Sequence, residues 1–238
     1  MTRTPAWAQT WTVLRALVAV LIAAAIVAQA VRTIGGAMDA GRDVGTTVTN
    51  FFSFFTILSN VGAVIVLLWA AVWFWTRGRN AASEPRGLGL MLASVTTYMI
   101  VTGIVYNTLL RGVELPQGTT VPWSNEVLHV VGPAFLLLDL FLAPRRRCLG
   151  WGAIGVVLIF PLVWVAYTLL RGENVVNPVN GDHWWYPYPF LNPHLGSWAS
   201  VWFWVGVIAV ALGVAAAGVV WVSRIRGRVR QPEPALAT

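Results

Sequence analysis

Three polar clusters interrupt an otherwise apolar chain, and their residue types are those of hydroxyl–imidazole chemistry. The first holds Ser53, Thr56, Ser59 and Asn60. Thr56 and Asn60 stand four residues apart and Ser53 three before Thr56, so on one helix these three share a face. The second holds Tyr106, Asn107 and Arg111, and the third Asn125, Glu126 and His129, with Asn125 and His129 again four apart. A hydroxyl becomes a useful nucleophile when a base takes its proton, and a histidine near neutrality is the usual base. An oxyanion formed on an ester then needs fixed donors, which Asn60, Asn107 or Asn125 can supply. A carboxylate that orients the imidazole would complete a triad. Glu126 is the near candidate, but at three residues before His129 on one helix it is awkwardly placed, and a dyad suffices. No metal or other cofactor is expected. There is no HExxH pattern, Cys148 is the one cysteine, and His183 and His194 sit together in a loop instead of facing His129 from another helix.

The elements that must carry these clusters follow from composition. Of the 238 residues 57% are hydrophobic and 11% charged, and the mean hydropathy is +0.69. A soluble domain carries about 25% charged residues. The expected fold class is all-α: a polytopic membrane protein, one bundle of six transmembrane helices over residues 1–223. The six apolar runs cover roughly Val13–Val31, Phe51–Trp75, Gly87–Leu110, Pro122–Ala143, Leu149–Leu170 and Ser197–Val222. The basic, then Pro- and Ala-rich tail, residues 224–238, is expected to be disordered in the cytoplasm. Cleavage of the first run as a signal peptide, at the small-residue site Ala28-Gln29-Ala30, is an alternative. The length of the run favours retention as a span.

The net charge of +7 is not read as a nucleic-acid surface, because the cations cluster at the ends of apolar runs. All of them are arginine. Arg3, Arg15, Arg77, Arg79, Arg86, Arg145, Arg146, Arg147, Arg224, Arg226, Arg228 and Arg230 fall on one side of a six-span topology. Arg32, Arg42, Arg111 and Arg171 fall on the other. The positive-inside rule then places both chain ends in the cytoplasm, N-in and C-in, in a cell inner (plasma) membrane. All three polar clusters lie at the outer end. At a rise of ~1.5 Å per residue, Thr56 and His129 both sit roughly 8–10 Å below the outer surface, with Asn107 at a similar level. Asp139, toward the cytoplasmic end of the fourth run, is placed to pair with a flanking arginine. The outer fifth loop carries His183, Trp184, Trp185, Tyr186, Pro187, Tyr188, Pro189 and Phe190. Two readings of it are open: an interfacial aromatic belt, or a rigid re-entrant lid over the polar cavity.

Three segments together carry a resemblance: Phe55-Thr56-Ile57-Leu58-Ser59-Asn60, then Asn125 through Pro133 (NEVLHVVGP), and Trp185 through Leu191 (WYPYPFL). Asn107-Thr108-Leu109-Leu110-Arg111 and the stretch from Pro161 to Arg171 add to it. The chain resembles bacterial Pr6Pr-type membrane proteins, distant relatives of the androgen-induced gene 1 and androgen-dependent TFPI-regulating proteins of animals. The animal relatives are six-helix enzymes that hydrolyse fatty acid esters of hydroxy fatty acids through a threonine and a histidine. The resemblance implies Thr56 as nucleophile and His129 as base, with Ser53, one turn earlier, as the alternative nucleophile. Asn60, Asn107, Asn125, Glu126 and Tyr188 are then the expected substrate-binding or oxyanion groups, and a membrane lipid or lipid-like ester is the expected partner. The competing reading is a non-catalytic membrane protein, either a lipid or small-molecule transporter or a scaffold.

Overall fold

Lipid offers no water to a backbone amide or carbonyl, so each crossing has to close its own hydrogen bonds as a helix. The computed structural model describes residues 6–113 and 120–229. Among these, six helices are long and apolar enough to span a bilayer: Ala6–Asp39, Phe55–Gly78, Arg86–Leu110, Pro122–Leu142, Ala153–Gly172 and Trp198–Gly227. The protein is all-α and multi-pass, with no strand among the described residues. Its helices are α1 (Ala6–Asp39), α2 (Val44–Phe51), α3 (Phe55–Trp73), α4 (Arg86–Val105), α5 (Pro122–Glu126), α6 (Gly132–Leu142), α7 (Ala153–Gly172) and α8 (Trp198–Val229). Wider π turns end α3 at Phe74–Gly78 and α4 at Tyr106–Leu110, and a third, Val127–Val131, joins α5 to α6.

Two boundaries differ from the sequence expectation. The second apolar run is not one helix from Phe51. Phe51 ends the short α2, whose first turn is capped by the Asp43 carboxylate on the Thr46 amide. The chain then turns, with the Ser53 amide on the Asn50 carbonyl. Ser53 therefore lies outside α3 and does not share a helical face with Thr56 and Asn60. The last helix also continues past residue 223 to Val229. It is tied down there: Arg226 donates to the carbonyls of Leu140 and Ala143, and Arg224 to that of Leu149. Arg3, Arg230 and the rest of the expected tail lie outside the described residues.

The core runs along the seams of α1 with α3 and of α3 with α4. Ala19, Ala25, Ala63 and Ala70 are fully buried there, together with Ile22, Leu67, Leu88 and Leu92. Small side chains let helix backbones approach, which is how helices gain contact where the solvent is as apolar as the core.

The arginine-rich end of the bundle is locked by charge. Asp139 is fully buried. Its carboxylate accepts from Arg15 Nε at 2.6 Å and from an Arg15 terminal nitrogen at 3.0 Å. It also accepts from Trp11 Nε1 at 2.6 Å and pairs with Arg146 at 3.3 Å. Arg15 reaches on to Glu84 at 3.0 Å. Two guanidinium groups thus face two carboxylates, from α1, α6 and the two connections that flank α4 and follow α6. The pairing expected for Asp139 is present, and the first span is part of the bundle because it supplies Arg15 and Trp11.

Removing one member of such a buried set leaves charges without partners. Asp139→Asn is expected to destabilise the fold by about 3–5 kcal/mol. The measurement is thermal unfolding in detergent, and Glu126→Gln, at the half-exposed Arg111–Glu126 pair, should leave the transition almost unmoved.

Candidate active site

The site is built where helices are interrupted. Pro133 has no amide hydrogen, so the His129 carbonyl loses its usual donor. The π turn shifts the register further: the Gly132 amide bonds the carbonyl of Val127, which leaves the Leu128 carbonyl free as well. Two asparagines fill these vacancies. Asn60 Nδ2 donates to the Leu128 carbonyl at 3.2 Å and to that of Thr56 at 2.9 Å. Asn107 Nδ2 donates to the His129 carbonyl at 3.4 Å and to that of Gly103 at 2.8 Å. A primary amide has two N–H groups, so both amides are fully committed. Sequence reasoning placed Asn60 and Asn107 among the oxyanion or substrate groups; their geometry makes them braces of the turn that carries His129. Close approach is needed too, since a Cβ on Gly103 would come within 3.0 Å of Pro133.

His129 itself is fixed on two sides. Its Nδ1 lies 2.9 Å from the Asn125 carbonyl. A carbonyl only accepts, so Nδ1 carries the hydrogen and Nε2 of the neutral ring is left as the acceptor. The Tyr106 ring stacks on the imidazole at 3.9 Å between centroids, and the Asn125 side chain donates to the Tyr106 hydroxyl. The orienting group is therefore a backbone carbonyl one turn back and not Glu126. Glu126 points outward to form the rim pair with Arg111, whose guanidinium also binds Asn107 Oδ1.

Thr56 sits in the first turn of α3 and is 8% exposed. The Tyr188 hydroxyl lies 3.2 Å from both its amide and its Oγ1. Burial holds the Tyr188 phenol above its ordinary pKa, so at neutral pH it is a hydroxyl donor. Ser53, by contrast, is bonded to the Thr49 carbonyl and to Tyr167 and lines neither of the cavities described next.

Two cavities meet at Thr56. One, of about 50 Å³, is lined by Gln29, Thr33, Thr56, Tyr106, Asn125, His129 and Tyr188 among others. The other, of about 150 Å³, is apolar and lies between α4, α7 and α8, with Thr56, Tyr106 and Tyr188 at its head. Thr56 and His129 thus border one small space, mostly apolar in surface with a few polar groups, but no hydrogen bond joins them directly. Gln29 appears in the sequence only within the cleavage-like Ala28-Gln29-Ala30, and Thr33 was not singled out. Their four-residue spacing at the outer end of the first apolar run was the available signal, and the Gln29 amide does donate to Thr33 at 3.1 Å.

The fifth loop folds inward as a lid. Trp185, Tyr186 and Tyr188 are each at most 5% exposed, which the belt reading does not accommodate. Trp185 and Tyr188 meet the Phe54 ring edge-on at 5.6 and 5.5 Å. The Trp185 amide bonds the Gly172 carbonyl at 2.9 Å, and the Tyr186 hydroxyl bonds Glu173 at 2.8 Å. No group of three or more His, Cys, Asp or Glu side chains among the described residues is arranged to hold a metal ion.

Compared with known protein families, with curated proteins and with solved structures, the chain matches none.

The lid rests on a glycine. A methyl group at Gly172 would overlap the Tyr186 ring. Gly172→Ala is expected to undock the lid, so that chymotrypsin cuts after Trp184, Trp185 or Phe190 in the folded protein at a rate at least tenfold above wild type. Equal cleavage rates would show that the loop tolerates the added carbon.

Proposed function

We propose that this protein is an intramembrane lipid-ester hydrolase of the inner (plasma) membrane, with Thr56 as nucleophile and His129 as general base near the outer leaflet. One observation carries the reading: Thr56 lines both the apolar cavity and the smaller one that Asn125 and His129 also line, and the Nε2 of His129 is the ring nitrogen left free of the Asn125 carbonyl. An ester needs both, room for a hydrocarbon chain and polar groups at its carbonyl. The resemblance to Pr6Pr-type proteins and their animal relatives supports the same pair of residues.

In this mechanism Thr56 Oγ attacks the ester carbonyl and its proton passes to His129 Nε2. The smaller cavity has room for water, which needs a space of only ~10–15 Å³ and polar partners, here Thr56, Asn125 and His129, so a bridging molecule can carry that proton. The Tyr188 hydroxyl, already on Thr56, and the second N–H of Asn125 are the donors available to the oxyanion. His129 returns the proton to the leaving alcohol. Water then attacks the acyl-threonine, gives up a proton to the same nitrogen, and releases the carboxylic acid with Thr56 regenerated.

The non-catalytic reading draws on one observation: the Thr56 hydroxyl is bonded to Tyr188 and not to His129. The two readings separate in an esterase assay on purified protein in detergent. Thr56→Ala and His129→Ala are each expected to lower kcat/KM by at least 10²-fold, the scale of losing a nucleophile or general base, with Ser53→Ala close to wild type. Activity that survives both substitutions, or is absent from wild type, favours the non-catalytic protein.

A further inference from the structure

The larger cavity has a definite shape, and the shape selects a ligand. An apolar cavity of this size, ~150 Å³, stays dry and accepts apolar guests. Its walls are hydrocarbon and aromatic along α7 and α8, from Pro161, Leu162 and Val165 to Val205, Ile208 and Leu212. Pro161 lies within α7 and removes the donor of the Val157 carbonyl. The Tyr98 hydroxyl takes that carbonyl at 2.6 Å, so the interrupted helix stays satisfied while its wall faces the cavity.

The cavity also has a mouth and a floor. Leu162 and Ala209 line it and are at the same time exposed on the outer surface of the bundle, Leu162 by 61%. This surface belongs to two membrane-spanning helices, so the mouth opens sideways to lipid. Leu158 and Leu212 are the deepest lining residues on α7 and α8, counted from the outer end. From Val165 to Leu158 and from Val205 to Leu212, a rise of ~1.5 Å per residue gives a depth of roughly 10 Å on both walls.

We propose that this cavity is an acyl sleeve of fixed depth that admits one unbranched, medium-length acyl chain sideways from the bilayer and holds its carbonyl at Thr56. An extended chain advances ~1.2 Å per bond, so a depth of roughly 10 Å corresponds to an acyl group of about eight to ten carbons. Longer chains meet the floor at Leu158 and Leu212 before their carbonyl reaches Thr56. Leu212 is 6% exposed, and its neighbours Ala216, Val219 and Val220 are closed beneath it. The chain-length preference rests on the hydrolase reading, whereas occupation of the sleeve by an acyl chain does not.

The test has two arms on the full-length protein in nanodiscs. In the first, p-nitrophenyl esters with acyl chains from four to sixteen carbons are hydrolysed by wild type, Leu212→Trp and Leu158→Ala. The expected wild-type optimum is about eight to ten carbons, moving at least two carbons shorter in Leu212→Trp and at least two longer in Leu158→Ala. Two differently directed variants keep the outcome readable if one fails to fold. In the second arm, a ten-carbon fatty acid with a terminal diazirine is photo-crosslinked and mapped by mass spectrometry, with adducts expected at Leu158, Leu212 or their immediate neighbours. A rate that is flat across chain length, or an optimum that neither variant moves, overturns the sleeve. Hydrolysis absent at every length with crosslinks at the floor overturns the hydrolase reading and leaves the sleeve standing. Crosslinks confined to the outer surface of the bundle overturn the sleeve whether or not the protein is active.

Discussion

A carbonyl released inside a membrane protein must find a donor within the protein, and much of the outer half of this bundle is arranged around that requirement. Pro133 and the π turn before it release two carbonyls, at Leu128 and His129, and Asn60 and Asn107 take them. Pro161 releases a third, at Val157, and Tyr98 takes it. An unmet acceptor in hydrocarbon costs several kcal/mol, so each interruption persists only with its partner. The interruptions do structural work in return. The π turn carries His129 with its ring against Tyr106 at the wall of the smaller cavity, and the proline in α7 lines the larger one. π turns inside helices recur at functional sites for this reason: they re-aim side chains without breaking the helix.

The ends of the bundle divide the remaining polarity. At one end, Arg15, Glu84, Asp139 and Arg146 neutralise one another out of water. At the other, the ion pairs Arg111–Glu126 and His194–Glu173 stay on partly exposed side chains, away from Thr56. For the reaction proposed above, such an arrangement would keep net charge out of the space where a carbonyl is attacked.

Much of this was legible in the sequence because the bilayer restricts the answer. Six apolar runs have one reading in lipid, and polar residues within them stand out. Thr56, Asn125, His129 and Tyr188 line one cavity; depth had put Thr56, His129 and Asn107 at one level, and Asn107 is turned instead to the backbone of the facing helix. What spacing did not carry was the local backbone. Ser53 shares a face with Thr56 only if the helix begins before it, and the turn at residues 52–54 removes it. The amides of Asn60 and Asn107 read as available donors because nothing in their identity reveals a π turn on the facing helix. Pro133 was the signal for a freed carbonyl, but the carbonyl of Leu128 is freed by register alone. Glu126 is near His129 in sequence, yet its carboxylate is taken by Arg111 at the rim.

In the proposed reaction Thr56 is the nucleophile that His129 activates beside the apolar cavity. A fluorophosphonate with an eight-carbon alkyl chain forms a covalent O–P bond with such a hydroxyl as fluoride leaves, and tandem mass spectrometry locates the bond. The expected result is a single adduct on Thr56, lost in His129→Ala and retained in Ser53→Ala. An adduct on Ser53, on another hydroxyl, or on Thr56 with undiminished yield in His129→Ala would contradict it.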